Sequence, residues 1–143
     1  MPYIERAGLE QRFGVAEIAD LLDDDNSGAE SAEETTSLTR ACEDATAMID
    51  GYLSSRYTLP LASVPDLVVG WAADIARFRL WDEHAPEEVR RRYDDVLAQL
   101  RDLARGLLSL PPGADGGAAG VAGFSSDGYS ADRVFTMDEL KGF

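Results

Sequence analysis

Four groups of side chains in this 143-residue chain are of types that can do chemistry, and each needs a geometry that the surrounding sequence must supply. The run Asp23-Asp24-Asp25-Asn26-Ser27-Gly28 sets carboxylates ahead of a glycine, as at the start of an EF-hand calcium loop. Such a loop also needs a bidentate Glu at its last position and a flanking helix in register, and the downstream residues provide neither. Ser31 and Glu34 fit a capping box instead, with Ser31 as N-cap and the Glu34 side chain reaching back to it. The run therefore reads as a solvated acidic loop. Cys42 is the single cysteine, which rules out an intramolecular disulfide and a Cys-rich metal site and fits a reducing cytosolic origin. It lies on an apolar stripe with no His or Asp arranged around it as a base, so it reads as a small buried hydrophobe. His84, the sole histidine, stands beside Glu83 at a junction between helical stretches. Without a second His or a suitably spaced nucleophile it reads as a turn residue or local hydrogen-bond donor. Arg90-Arg91-Arg92 is followed by Asp94 and Asp95, the pattern of a solvated helix face with local ion pairs. No nucleophile–base pair, phosphate-cradling glycine loop or metal-spaced cluster emerges, so the expectation is a non-enzymatic protein with no catalytic residue, cofactor or metal.

The charge balance narrows the partners. Asp and Glu number 27 against 13 Lys and Arg, Lys141 being the only lysine, and the formal net charge is −14 at pH 7. Nucleic-acid readers present a basic face that releases counterions, and membrane-surface helices favour Lys and Arg on their polar side. Neither pattern is present. The opening Met1-Pro2-Tyr3-Ile4-Glu5-Arg6 lacks a basic region followed by an apolar run, and no stretch reaches the roughly 18 continuous apolar residues of a membrane span. Exit from a cell is then expected by lysis or particle release.

These groups must be held by helices. Leu9, Phe13, Ile18, Leu21 and Leu22 suit two short helices broken near Gly14. Leu38, Ala41, Cys42, Ala45, Ile49, Tyr52 and Leu53 recur at three- and four-residue steps and predict a central amphipathic helix from Glu33 to about Arg56. Gly51 within it costs about 1 kcal/mol relative to Ala, which predicts that another helix crosses closely there. Pro60 and Pro65 make the segment from Tyr57 to Pro65 an ordered loop, and its Leu and Val residues imply packing on the domain or on a neighbouring subunit. A third helix begins near Pro65 and carries Leu67, Val68, Trp71, Ile75, Phe78 and Trp81 toward a core. A fourth element begins at Pro86, with Val89, Tyr93, Val96, Leu97, Leu100, Leu103, Ala104 and Leu107 forming a stripe through Leu108. The fold class is all-α: a compact bundle of about four main helices with short N-terminal helices and an extended C-terminal arm. Residues 1–110 form the helical domain, 111–128 a flexible Gly- and Pro-rich linker, and 129–143 the arm. Val134, Phe135, Leu140 and Phe143, with Arg133 for a partner carboxylate, are the anchors of an arm that orders on a partner, set against the simpler reading of a disordered terminus.

The stretch Ile49-Asp50-Gly51-Tyr52-Leu53, Arg56-Tyr57, Leu59-Pro60-Leu61, Val64-Pro65, Leu67-Val68 and Asp74-Ile75-Ala76-Arg77-Phe78 resembles the Mu-type bacteriophage neck or head–tail adaptor (connector) proteins. Further support comes from Leu9, Arg12-Phe13-Gly14, the Leu21 region, Arg92-Tyr93 and the Arg133-Val134-Phe135 tail ending in Phe143. The resemblance covers most of the chain and rests on overall pattern. It implies a compact helical bundle that assembles as a twelve-fold ring beneath the portal protein. Such a ring contacts neighbouring adaptor subunits and the next neck or tail-terminator component, with DNA passing through the lumen without specific binding. It places the protein in the virion neck, assembled in the bacterial cytoplasm. An acidic lumen would repel phosphates and leave transit free. The residues expected to meet partners are Arg56, Tyr57, Leu59 and Leu61 in the loop and Arg133, Val134, Phe135, Leu140 and Phe143 in the arm. A small acidic helical regulator of low oligomeric order is the alternative from another class.

Overall fold

The computed structural model describes residues 2–23, 26–28 and 31–114. The helices are α1 (Arg6–Phe13), α2 (Val15–Leu22), α3 (Ala32–Leu53), α4 (Asp66–Trp81) and α5 (Glu87–Arg105), with a 3₁₀ turn at Asp82–His84 between the last two. The fold is all-α, and the described residues contain no strand. Three of the five helices, α3, α4 and α5, are long, α5 being the fourth element expected from Pro86, and α1 and α2 are the expected short N-terminal helices.

Local chemistry sets the boundaries. Gly14, at φ +99°, breaks α1 from α2, and its amide donates to Glu10 O at 2.8 Å while its carbonyl accepts from Ile18 N at 3.3 Å. The expected capping box starts α3: the Ser31 hydroxyl accepts from Glu34 N at 3.2 Å, and the Glu34 carboxylate accepts from Ser31 N. Pro65 and Pro86 occupy the N-cap positions, one residue earlier than a first-turn proline. Each offers its carbonyl to the new helix, at 3.0 Å to Val68 N and 3.1 Å to Arg90 N.

α3 and α4 make the most extensive contact, α5 packs on both, and the α1–α2 pair lies against α4 and α3. Ala41 and Ala45 on α3 and Ala72, Ala73 and Ala76 on α4 are buried, and side chains this small let helix axes approach closely. Leu38, Ile49, Leu53, Val68, Ile75, Leu100 and Leu103 fill the space around them, with Leu9 and Ile18 contributed by the N-terminal pair. Trp71, 2% exposed, donates from Nε1 to Gln99 Oε1 on α5 at 2.6 Å, which satisfies its one polar atom.

Four expectations change. Gly51 is exposed, and a Cβ added there meets nothing within 4 Å, so no helix crosses at that point. Of the six large residues on α4, Val68, Trp71 and Ile75 are buried, but Phe78 and Trp81 are half-buried and Leu67 is 38% exposed. On a turn of 3.6 residues these three fall on the flank of the stripe. Phe78 stacks there on Tyr93 of α5, ring centroids 4.0 Å apart and planes 6° from parallel. The stripe of α5 ends earlier than expected, because the helix stops at Arg105 and Leu107 is 75% exposed. The packed body also runs beyond 110, since Ala114 is buried and its carbonyl accepts from Ala62 N at 2.9 Å and Ser63 N at 3.3 Å. The remainder of the expected linker and the whole arm lie outside the described residues.

Two measurements follow from this packing. Trp71→Ala should cost about 3–5 kcal/mol in denaturant unfolding, while Phe78→Ala should cost about 1–2 kcal/mol, because only part of its area and one ring pair are lost. Gly51→Ala should raise stability by about 0.5–1 kcal/mol, having open space and helical backbone. A lowered unfolding midpoint for that variant would show that another group approaches Gly51.

Candidate interaction surface

The expected contact loop leaves the C-terminal end of α3, where a helix has carbonyls in need of donors. Arg56 N and Tyr57 N serve Leu53 O at 3.0 and 2.8 Å. The Arg56 side chain reaches away to the end of α5, donating from Nη1 to Leu103 O at 3.1 Å and Leu108 O at 3.3 Å. A cation at the negative end of α5 is favoured by the helix dipole as well as by these bonds. Tyr57 Oη accepts from Leu110 N at 2.9 Å. Leu59 packs partly buried against the core, ahead of a cis bond to Pro60, and Leu61 is buried at 9% exposure. These residues therefore clasp the exit of α3 to the segment after α5.

Within the chain, each of these side chains has a place of its own. Leu61 is taken up by the core, and Arg56 and Tyr57 already have polar partners within the chain, because the carbonyls and amides after α5 require them. The exposed apolar side chains of the loop and its surroundings are Val64 at 41%, Leu67 at 38% and Leu107 at 75%. Sequence reading assigned Leu107 to the helical stripe. Gly106 following Arg105 was the available signal that the helix ends there. Arg133, Val134, Phe135, Leu140 and Phe143 lie outside the described residues.

The N-terminal pair is fastened by polar groups. Arg77 on α4 donates to Glu17 on α2 at 2.7 Å, and its guanidinium lies over the Phe13 ring of α1, 4.3 Å from the centroid. Tyr3 N donates to Thr46 Oγ1 at 2.9 Å, and the Tyr3 hydroxyl donates to the Asp50 carboxylate on the same face of α3. Burial, then Asp50, pushes the Tyr3 phenol above its ordinary value. Burial also raises the Asp74 carboxyl above the usual carboxylate range, against the opposing pull of Arg92, Arg77 and Arg12.

The groups singled out for chemistry have ordinary structural surroundings. Cys42 is buried, and burial, followed by Glu5 and Glu43, pushes its thiol up to about 11. His84 is exposed in the 3₁₀ turn. Arg90 holds that turn by donating to Ala85 O and Glu83 O, both at 3.2 Å, and Arg92 pairs with Glu88 at 3.3 Å and Asp74 at 4.0 Å. The Asp23 carboxylate accepts from Ser27 N at 2.8 Å and Gly28 N at 3.0 Å, an Asx-type closure of the acidic loop. Among the described residues no helix is long and apolar enough to cross a membrane.

Against known proteins, the profile of the family described as Bacteriophage Mu, Gp36 matches residues 3–124. The chain belongs to that family. The Mu-like prophage FluMu protein gp36 of Haemophilus influenzae is 40% identical over 70 residues, which cover 49% of this chain and 50% of that one. Gene product J of Escherichia phage Mu is 39% identical over 66 residues, covering 44% of this chain and 47% of the phage protein. Each match thus spans about half the length of the curated relative. This Gp36-family chain is a bacteriophage protein, and the resemblance read from its loop and helix pattern holds at that level.

The buried thiol of this Gp36 chain gives a pH signature. Its folded pKa of about 11 lies above the ordinary 9.0, so rising pH ionises the unfolded chain first and draws the equilibrium toward it. The thiol's contribution is fully present below pH 9.0 and is lost as pH rises toward 11, by up to about 2–3 kcal/mol. Cys42→Ala should flatten that alkaline loss relative to wild type. A disulfide-exchange reagent should label the native protein slowly and the unfolded chain at once, and fast native labelling would contradict the burial.

Proposed function

We propose that this Gp36-family chain is a structural head–tail adaptor in the neck of a tailed phage, without enzymatic activity. Copies form a ring, twelve-fold by the family resemblance, that sits beneath the portal protein and joins it to the next neck or tail component. The observation that carries the reading is the match to the phage Mu family along residues 3–124, which spans the helical body and the contact loop together. The net charge of −14 supports it, since a channel wall of this sign does not hold the DNA passing through it. Val64 and Leu67, exposed beside the clasp at Arg56 and Tyr57, supply apolar surface for portal or neighbour. Arg133, Val134, Phe135, Leu140 and Phe143 act as the docking arm, with the ring residing in the virion neck after assembly in the host cytoplasm.

Native mass spectrometry and electron microscopy of the full chain, alone and with the portal of the same phage, test this reading. A high-order ring or a portal complex is the expected result. A chain ending at Ala114 should keep the thermal transition of the full protein yet bind portal weakly. A stable dimer indifferent to portal would point to the acidic regulator.

A further inference from the structure

Helix α5 turns Val89, Val96, Leu100 and Leu103 into the bundle, so Glu87, Arg91, Asp94, Ala98, Arg101 and Arg105 line its opposite, exposed face, the two nearest the C-terminal end being cations. Arg91, Arg101 and Arg105 form no ion pair among the described residues, although carboxylates outnumber cations two to one in the chain. The helix then ends in a Schellman turn. Gly106 sits at φ +87°, its amide bonds to Leu103 O at 3.1 Å, and Leu107 N bonds to Asp102 O at 2.8 Å. In that turn the residue at the Leu107 position commonly packs against the one at the Asp102 position. Here the latter is a carboxylate, so Leu107 lacks that apolar neighbour and stands 75% exposed. Its backbone is nonetheless held firmly, which lowers the ordering cost of any contact it makes.

A recess of about 630 Å³ opens at the other end of the bundle, between α2, the start of α3 and the end of α4. Leu21, Leu22, Ala41 and Trp81 give it apolar walls, and Glu33 and Asp82 stand among its polar groups. Arg79, which also lines it, is paired with Asp44 at 3.5 Å. α3 runs from this recess at its first turns to the Arg56 clasp on α5 at its end, a span of about 33 Å for its 22 residues. A cationic knob with an apolar tip and an acidic, largely polar recess with some apolar lining thus occupy opposite ends of one molecule.

We propose that Leu107, flanked by Arg101 and Arg105, docks into this recess on a second copy of the chain. The charges are complementary, and the recess has the size of a site that encloses a compact group. Because the two patches differ and lie at opposite ends, the contact is heterologous and propagates from copy to copy until it closes. The inference rests on the ring reading and names the surfaces that build the ring.

The experiment uses full-length chains, alone and with portal. A knob variant carries Leu107→Asp and Arg105→Glu; a recess variant carries Glu33→Arg and Asp82→Asn. Circular dichroism and thermal melts establish that both fold. Each alone should lose self-association by more than about tenfold, the effect of removing a central anchor. Mixed together they should form a one-to-one dimer that grows no further, since only one intact knob and one intact recess remain. Variants that assemble as wild type does would overturn the inference and leave the ring reading standing. Wild-type chain that assembles in neither setting would remove the ring reading as well. Recess variants that lose portal binding while wild-type copies never associate would assign the recess to portal and overturn the second-copy proposal.

Discussion

The close approach of α3 to α4 is the constraint on which the rest of this protein depends. Five buried alanines on the two helices leave little side-chain bulk at the contact, so the larger residues are displaced to its margins. Ile49, Leu53, Val68 and Ile75 fill one margin of that seam, and α5 closes it with Leu100 and Leu103. Interiors are packed to crystal-like density, so a seam of small residues must be matched by bulk elsewhere. Trp71 provides it, and its bond to Gln99 fixes how α5 lies on α4. The aromatic stack of Phe78 on Tyr93 adds a second point of register between the same two helices.

Polar ties then settle the parts that the apolar seam leaves loose. The N-terminal helices are short, and an isolated helix of eight residues is not stable in water. They hold their place because Leu9 and Ile18 are buried and because Arg77 joins both: it pairs with Glu17 on one and covers Phe13 on the other. A largely buried ion pair adds little net stability once desolvation is counted, but it tolerates few alternative arrangements. At the opposite end the Arg56 and Tyr57 side chains do the same for the segment after α5. The N-terminal pair is thereby fixed to α4, and the segment after α5 to the exit of α3.

Arg91, Arg101 and Arg105 of α5, which form no ion pair among the described residues, face away from the core in a chain of strongly negative net charge. In the proposed adaptor these cations would face protein, while the carboxylates that dominate the chain would leave DNA free to move.

Much of this was legible in the chain itself. The apolar period located the stripes of α3 and α5, Ser31 and Glu34 marked the start of α3, and Pro65 and Pro86 marked the next two, since periodicity and capping act over a few residues. The burial of Cys42 and the place of His84 in a turn between helices followed from the same local pattern. Tertiary structure decided what depended on distant residues. It gave Arg56 to the carbonyls of α5 and Leu61 to the core, left Gly51 in open space, and continued the packed body to Ala114. It also turned Leu107 outward, because the left-handed Gly106 reverses the chain after the helix ends, and set it at the far end of α3 from the recess. Which residue satisfies a helix end forty or fifty positions away is determined by where packed helices bring it. The sequence carries no periodic trace of such a pairing.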